Sequence, residues 1–126
     1  MSEIRATTIS DAAGTGPITL TGQSAAKAWL KTNYSSGTPI IQSSLNISSI
    51  GDINTGQRGV NFTNAMAGGN DYAVSGAADL TSASARTNFT SYSLTASAFQ
   101  ARTYEIYTGD SWIDTGCHLT VDGDLA

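Results

Sequence analysis

Residues 40–63 read IIQSSLNISSIGDINTGQRGVNFT, and the alternation in this stretch decides the predicted fold class. Apolar and polar residues alternate through Leu45 and Ile47, which is typical of a strand with one buried face. Residues 51–56 contain glycine, aspartate and asparagine, which favour a loop. The alternation resumes at Val60. The stretch therefore predicts two short strands joined by a turn.

The same two-residue period recurs along the rest of the chain, with Gly, Asn and Asp between the runs. Roughly six short strands separated by turns predict an all-β fold, either an antiparallel sandwich or a small barrel. Of these we expect an antiparallel, jelly-roll-like β-sandwich. The residues that mark the further strands are Tyr72 and Val74, Tyr92 and Leu94, Tyr104 and Ile106, and Cys117, Leu119 and Val121.

The chain before residue 40 follows a different pattern. Residues 1–23 hold few apolar side chains around a Gly-Thr-Gly-Pro turn, which predicts an extended N-terminal arm for assembly or attachment. Ser24 suits an N-cap, and the alanine-rich segment after it predicts a short helix over residues 24–32. We therefore expect a β-sandwich domain over residues 24–126, led by this helix. The residues expected to take part in assembly are Ile4, Ile9, Pro17, Leu20 and Trp29.

Composition excludes several classes of function. Only 13% of residues are charged, about half of the usual ~25%, and the net charge is −4. The six basic residues are scattered singly, whereas a nucleic-acid binder clusters them on one face, so no nucleic-acid partner is expected. No apolar run approaches the length of about 18 residues that a membrane span requires. The N-terminus also lacks the basic-then-apolar pattern of a secretory signal, which favours synthesis in a cytoplasm.

The residues that carry chemistry are few, and we expect no enzyme. The single cysteine excludes a disulfide framework or a cysteine-based metal cluster. Cys117 and His118 are adjacent in a predicted strand, so their side chains point to opposite faces and form no dyad. No Gly-x-Ser-x-Gly elbow and no EF-hand spacing is present. Asp114 and the other aspartates near the C-terminus are read as solvated turn residues, and neither a catalytic residue, a cofactor nor a metal is predicted.

The loop around residue 110 is the strongest candidate for ligand binding. Tyr107, Asp110 and Trp112 place aromatic rings beside a carboxylate at a turn. Amphipathic rings of this kind suit contact with a glycan. The alternative, which we favour, is that Trp112 packs in a subunit contact or at the edge of the sandwich, because the same rings are enriched at protein interfaces.

Several segments, in this order and spacing, resemble the tail-fibre-like and other virion surface structural proteins of tailed bacteriophages of the cyanophage type. They are GTGPITL at residues 14–20, SAAKAW at residues 24–29, residues 44–66 followed by YAV at residues 72–74, and CHLTVDGD at residues 117–124. Each segment alone is of low specificity, and together they extend over nearly the whole chain. The chain departs from the commoner family pattern at residues 31–37, where KTNYSSG stands in place of an aromatic residue and Gly-Thr-Gly.

The resemblance implies a homotrimeric, non-enzymatic, β-rich appendage of a virion, with the arm as its assembly or attachment element. Its expected partners are copies of itself and other virion proteins, and its expected location is the virion. A tail-fibre component and a capsid decoration (cement) protein both fit this description. The rival hypothesis is a receptor-recognition module that binds a host-surface glycan.

Overall fold

The computed structural model describes residues 26–79, 87–106 and 111–126. Within these ranges the regular structure consists of antiparallel strands joined by turns, so the all-β prediction is confirmed. The strands are β1 (Ala28–Ser35), β2 (Thr38–Leu45), β3 (Ile47–Asn54), β4 (Gln57–Phe62), β5 (Tyr72–Ala78), β6 (Thr87–Tyr92), β7 (Ala98–Glu105), β8 (Ser111–Trp112) and β9 (Cys117–Gly123).

The strands form two sheets that share one hydrophobic core. The four-stranded sheet has the order β2-β1-β9-β5. The five-stranded sheet has the order β3-β4-β7-β6, and the short β8 pairs with β7. Phe62 of the second sheet meets Tyr72 of the first edge-to-face, with ring centroids 5.5 Å apart, and packs on Phe99 at 5.6 Å. The other buried members of the core are Ala28, Leu30, Ile47, Val60, Met66, Ala101, Cys117, Leu119 and Val121.

Residues 28–32 of the predicted helix are part of β1, so the helix prediction is wrong over these residues. Ala28 and Leu30 are buried, whereas Lys31 faces outward. All three belong to β1, which pairs with β2 on one side and with β9 on the other. Helix propensity of the alanine-rich segment is a weak preference, and pairing with two neighbouring strands overrides it. Trp29, expected within this helix, is instead an outward-facing strand residue. Residues 24 and 25 and the arm, with Ile4, Ile9, Pro17 and Leu20, lie outside the described residues.

The connections between strands differ from the jelly-roll-like prediction. Four pairs of consecutive strands (β1–β2, β3–β4, β6–β7 and β7–β8) are antiparallel neighbours within one sheet, whereas most consecutive strands of a jelly roll lie in opposite sheets. Short turns cause this, since two residues at positive φ, Ser36 and Gly37, reverse the chain after β1. The loop predicted over residues 51–56 is also shorter than expected, because β3 continues to Asn54 and only Thr55 and Gly56 form the turn.

Candidate functional site

A cluster of aromatic side chains around Arg102 lies on the outer face of the five-stranded sheet. Alternation along β7 buries Phe99 and Ala101 in the core and leaves Arg102 and Tyr104 on the outer face. The strand β8 pairs with the end of β7 and places Trp112 opposite Tyr104. Tyr92, at the end of β6, completes the set. We call Tyr92, Arg102, Tyr104 and Trp112 the Arg102 cluster.

The guanidinium of Arg102 lies between two aromatic rings. Its Cζ is 3.6 Å from the centroid of the Tyr92 ring and 5.2 Å from that of Trp112. The Trp112 ring also meets Tyr104 edge-to-face, with centroids 5.1 Å apart and planes at 65°. Cation–π attraction at such distances contributes about 0.5–2 kcal/mol per contact and fixes the plane of the guanidinium. The cluster is therefore a pre-ordered surface with one positive charge.

A hydrogen bond across the sheet holds the Tyr92 ring over Arg102. The Tyr92 hydroxyl donates to Oε1 of Gln57 over 3.1 Å. Because Gln57 lies opposite Arg102 on β4 and Tyr92 lies on β6, the ring extends across β7. This contact limits the rotamers of Tyr92, so a molecule that binds at the cluster does not have to order this ring.

The guanidinium of Arg102 has no hydrogen bond or ion pair with another residue of the described ranges, and its Nε is shielded from solvent without a partner there. Trp112, by contrast, exposes 41% of its surface. A guanidinium offers a planar fork of N–H donors that matches a carboxylate, and an exposed indole offers apolar area. The arrangement can bind a molecule that is apolar on one face and anionic at one edge.

Of the three residues predicted to contact a glycan, the structure places Trp112 on the outer face beside Arg102 and Tyr104. Tyr107 and Asp110 lie outside the described residues. Tyr92, Arg102 and Tyr104 were not predicted as site residues, although Tyr92 and Tyr104 were predicted as strand residues. These side chains lie side by side because of the register between the strands. Alternation within β6 and β7 does not determine this register.

Asp114 is not the solvated turn residue that the sequence predicts. Its Oδ1 accepts a hydrogen bond of 2.6 Å from the backbone N–H of Gly56, and the side chain is half-buried. The carboxylate therefore ties the segment after β8 to the β3–β4 turn. This contact supports the position of β8, and hence that of Trp112.

A second surface, on the outer face of the four-stranded sheet, contains an open groove of about 510 Å³. Trp29 of β1 forms one wall, and the antiparallel register places Leu45 opposite Trp29 and Ile40 opposite Asn33 on the same outer face. Leu45 is 49% exposed and Ile40 is 42% exposed. We call the groove, together with the adjoining Leu45 and Ile40, the Trp29 groove. Besides Trp29, the outward-facing residues that line the groove itself are Lys31, Ser75, Ala77, His118 and Thr120.

The polar rim of the Trp29 groove includes an exposed imidazole–carboxylate pair. Nε2 of His118 lies 3.0 Å from Oδ1 of Asp79, and both side chains are exposed. Cys117 is buried on the opposite face of β9, which confirms the alternation predicted for the last strand. The cysteine and the histidine therefore do not meet.

Between the two sheets, Arg58 is completely buried. One Nη2 hydrogen bond of 2.9 Å reaches the Oγ1 of Thr103 and another of 2.9 Å reaches the carbonyl oxygen of Thr115. Nη1 lies 3.5 Å from the Sγ of Cys117, and the ring of Tyr34 lies 4.8 Å from Cζ. No carboxylate forms an ion pair with Arg58 among the residues described, so neutral groups solvate this charge.

Burial of the Cys117 thiol beside Arg58 makes the free energy of unfolding depend on pH in the alkaline range. Desolvation raises the pKa of the Cys117 thiol from 9.0 to about 11, although the positive charge of Arg58 lowers it. The thiol therefore loses its proton at a lower pH in the unfolded chain than in the folded one. The unfolded population rises as pH increases from about 9 to about 11. We expect the free energy of unfolding to fall by on the order of 1 kcal/mol per pH unit in this window. Urea denaturation at pH 8 and at pH 10.5 measures the fall.

The Cys117→Ala variant is the control for this prediction. It lacks the thiol, so its stability should fall less steeply over the same window. Burial likewise raises the pKa of Tyr34, to about 12, and the decrease that remains in the variant should extend to higher pH. Equal slopes for the wild type and Cys117→Ala would contradict the assignment.

Comparison with protein-family models, with curated proteins and with solved structures finds no match. Across residues 26–79, 87–106 and 111–126, no helix is long and apolar enough to cross a membrane. The same residues contain no group of three or more His, Cys, Asp or Glu side chains arranged to hold a metal ion.

Proposed function

We propose that this chain is a non-enzymatic structural protein of a bacteriophage virion, in which a β-sandwich domain forms homotrimers on the particle surface. The resemblance of several sequence segments, in their order along the chain, to virion surface proteins suggests the class. The observation that carries the assembly role is the Trp29 groove, whose apolar wall continues onto the exposed Leu45 and Ile40. A tail-fibre-like appendage and a capsid decoration protein both fit, with other virion proteins as partners and residues 1–23 as the attachment element.

The position of these apolar residues favours contact with a second copy of the chain. β2 is at the edge of its sheet, and long apolar edge strands are sites where another chain pairs or packs. Contiguous exposed apolar surface of this kind marks interaction sites in soluble proteins. Closed cyclic symmetry lets each copy cover the groove of a neighbour, which limits the assembly to a fixed number of chains.

Light scattering tests the assembly role. We expect a molar mass of about three chains for the wild type. Trp29→Ser should raise the concentration at which the trimer dissociates by about tenfold or more, because a tryptophan at the centre of a contact contributes about 2 kcal/mol or more. Trp112→Ser, on the opposite face, is the matched control and should stay trimeric. A wild-type monomer at all concentrations would contradict the proposal.

A second candidate function is recognition of a host-surface glycan at the Arg102 cluster. The observation that favours it is the exposed Trp112 ring, held edge-to-face against Tyr104 beside the Arg102 guanidinium, which has no ion-pair partner among the described residues. This surface lies on the other sheet from the Trp29 groove, so both functions are compatible in one assembly. Glycan-array binding that Trp112→Ala abolishes, with the trimer intact, would support this function.

A further inference from the structure

We propose that the Arg102 cluster selects acidic glycans, with Arg102 binding a sugar carboxylate and Trp112 packing against the apolar face of a sugar ring. This inference rests on the second candidate function, recognition of a glycan, and specifies its ligand class. The carboxylates of uronic acids and of sialic acids share the chemistry that the cluster recognises.

The charge of the surrounding surface favours an anionic ligand. The chain has a net charge of −4, yet none of the described residues that the register places directly beside Arg102 on the outer face is acidic. The residues that register places beside Arg102 on this face are Gln57, Thr90, Gln100 and Tyr104. An anion that approaches the guanidinium from this side therefore meets the amide and hydroxyl groups of these four residues and no carboxylate among them.

The geometry favours a carboxylate on a sugar over a polyphosphate or a nucleic acid. The planar fork of an arginine matches the two oxygens of a carboxylate. The rings of Tyr92 and Trp112 lie 3.6 Å and 5.2 Å from Cζ and restrict the orientation of the fork. Phosphate polymers need several cations along their length, and Arg102 is the single cation of the cluster.

Trp112 supplies the contact that a free anion would not use. Its ring is 41% exposed, and the edge-to-face contact with Tyr104 holds it beside the fork. An exposed, ordered indole presents apolar area at low conformational cost. The guanidinium of Arg102 and the adjacent indole of Trp112 together therefore fit a sugar that carries a carboxylate.

Calorimetric titration of the full chain tests this specificity. The probes are oligogalacturonate, oligomeric sialic acid and oligomannuronate, each with a neutral oligosaccharide of the same length. We expect at least one acidic oligomer to bind about tenfold or more tightly than its neutral counterpart, since hydrogen bonds to charged groups are the stronger ones. Arg102→Gln and Arg102→Lys should both remove most of this difference, because lysine keeps the charge and lacks the fork.

Lys27→Gln is the matched control, because it removes one positive charge just before β1 on the other sheet, at a residue outside both the Arg102 cluster and the Trp29 groove. It should leave acidic-glycan binding unchanged. Equal losses for Lys27→Gln and Arg102→Gln would overturn the inference in favour of general electrostatic attraction. Equal binding of acidic and neutral oligomers, abolished by Trp112→Ala, would overturn acidic selectivity and leave glycan recognition standing. Absence of binding to every probe and to a glycan array would overturn both.

Discussion

Replacing Arg58 with alanine should lower the free energy of unfolding by about 3 kcal/mol. The side chain is completely buried between the two sheets, so alanine leaves a cavity the size of most of an arginine. The carbonyl oxygen of Thr115 also loses the 2.9 Å hydrogen bond that it accepts from Nη2. Removal of a desolvated charge offsets part of this loss, because Arg58 has no carboxylate partner in the described part of the chain. Urea denaturation at pH 7 measures the change.

Arg58→Met separates the contribution of volume from that of the hydrogen bonds. Methionine fills much of the same space without a charge, and buried ionic groups can often be replaced by apolar side chains of similar size at little cost. We expect this variant to lie within about 1 kcal/mol of the wild type. If methionine costs as much as alanine, the hydrogen bonds of the guanidinium determine stability. A fully stable Arg58→Ala would contradict the prediction altogether.

Gly56→Ala should destabilise the fold by about 3 kcal/mol. Gly56 has a φ of +68°, which costs roughly 1 kcal/mol for a residue with a side chain. A Cβ there would also lie 2.6 Å from the backbone nitrogen of Ile113 and 2.6 Å from the carbonyl oxygen of Thr103. Relief of these contacts requires the backbone to move, which weakens the bond from the Thr103 N–H to the Gly56 carbonyl at 2.8 Å. Thermal and urea denaturation report the loss.

Gly37→Ala is the control that isolates the steric contribution. Gly37 has a similar φ of +78°, but no atom lies within 4 Å of the Cβ position. The control should therefore cost about 1 kcal/mol, the conformational contribution alone. Equal losses at the two positions would mean that the contacts at Gly56 relax freely and would contradict the expected effect.

The contacts of Gly56 also help to position Trp112 in the Arg102 cluster. The Gly56 N–H donates to Asp114, and a Cβ at this glycine would meet Ile113, the residue that follows β8. Trp112, at the end of β8, depends on this segment for its position. A Gly56 variant that still folds should therefore bind any glycan ligand more weakly, although it leaves every residue of the cluster unchanged.

The sequence by itself determined the all-β class and the buried face of the last strand. Alternation with period two is a local property, so the core positions Cys117, Leu119 and Val121 could be read directly from it. Helix propensity over residues 24–32 was misleading, because an alanine-rich segment also adopts a strand conformation when two neighbouring strands pair with it. Trp112 could be singled out from its residue type and its turn.

Only the tertiary structure decided which side chains meet. The Arg102 cluster joins β6, β7 and β8, and the Trp29 groove joins β1, β2, β5 and β9, through registers that depend on long-range pairing. Arg58 reads in the sequence as one scattered cation, yet the inward face of β4 buries it because neutral acceptors from two other segments converge there. Alternation assigns a residue to one face of a strand, whereas pairing between distant strands determines its neighbours on that face.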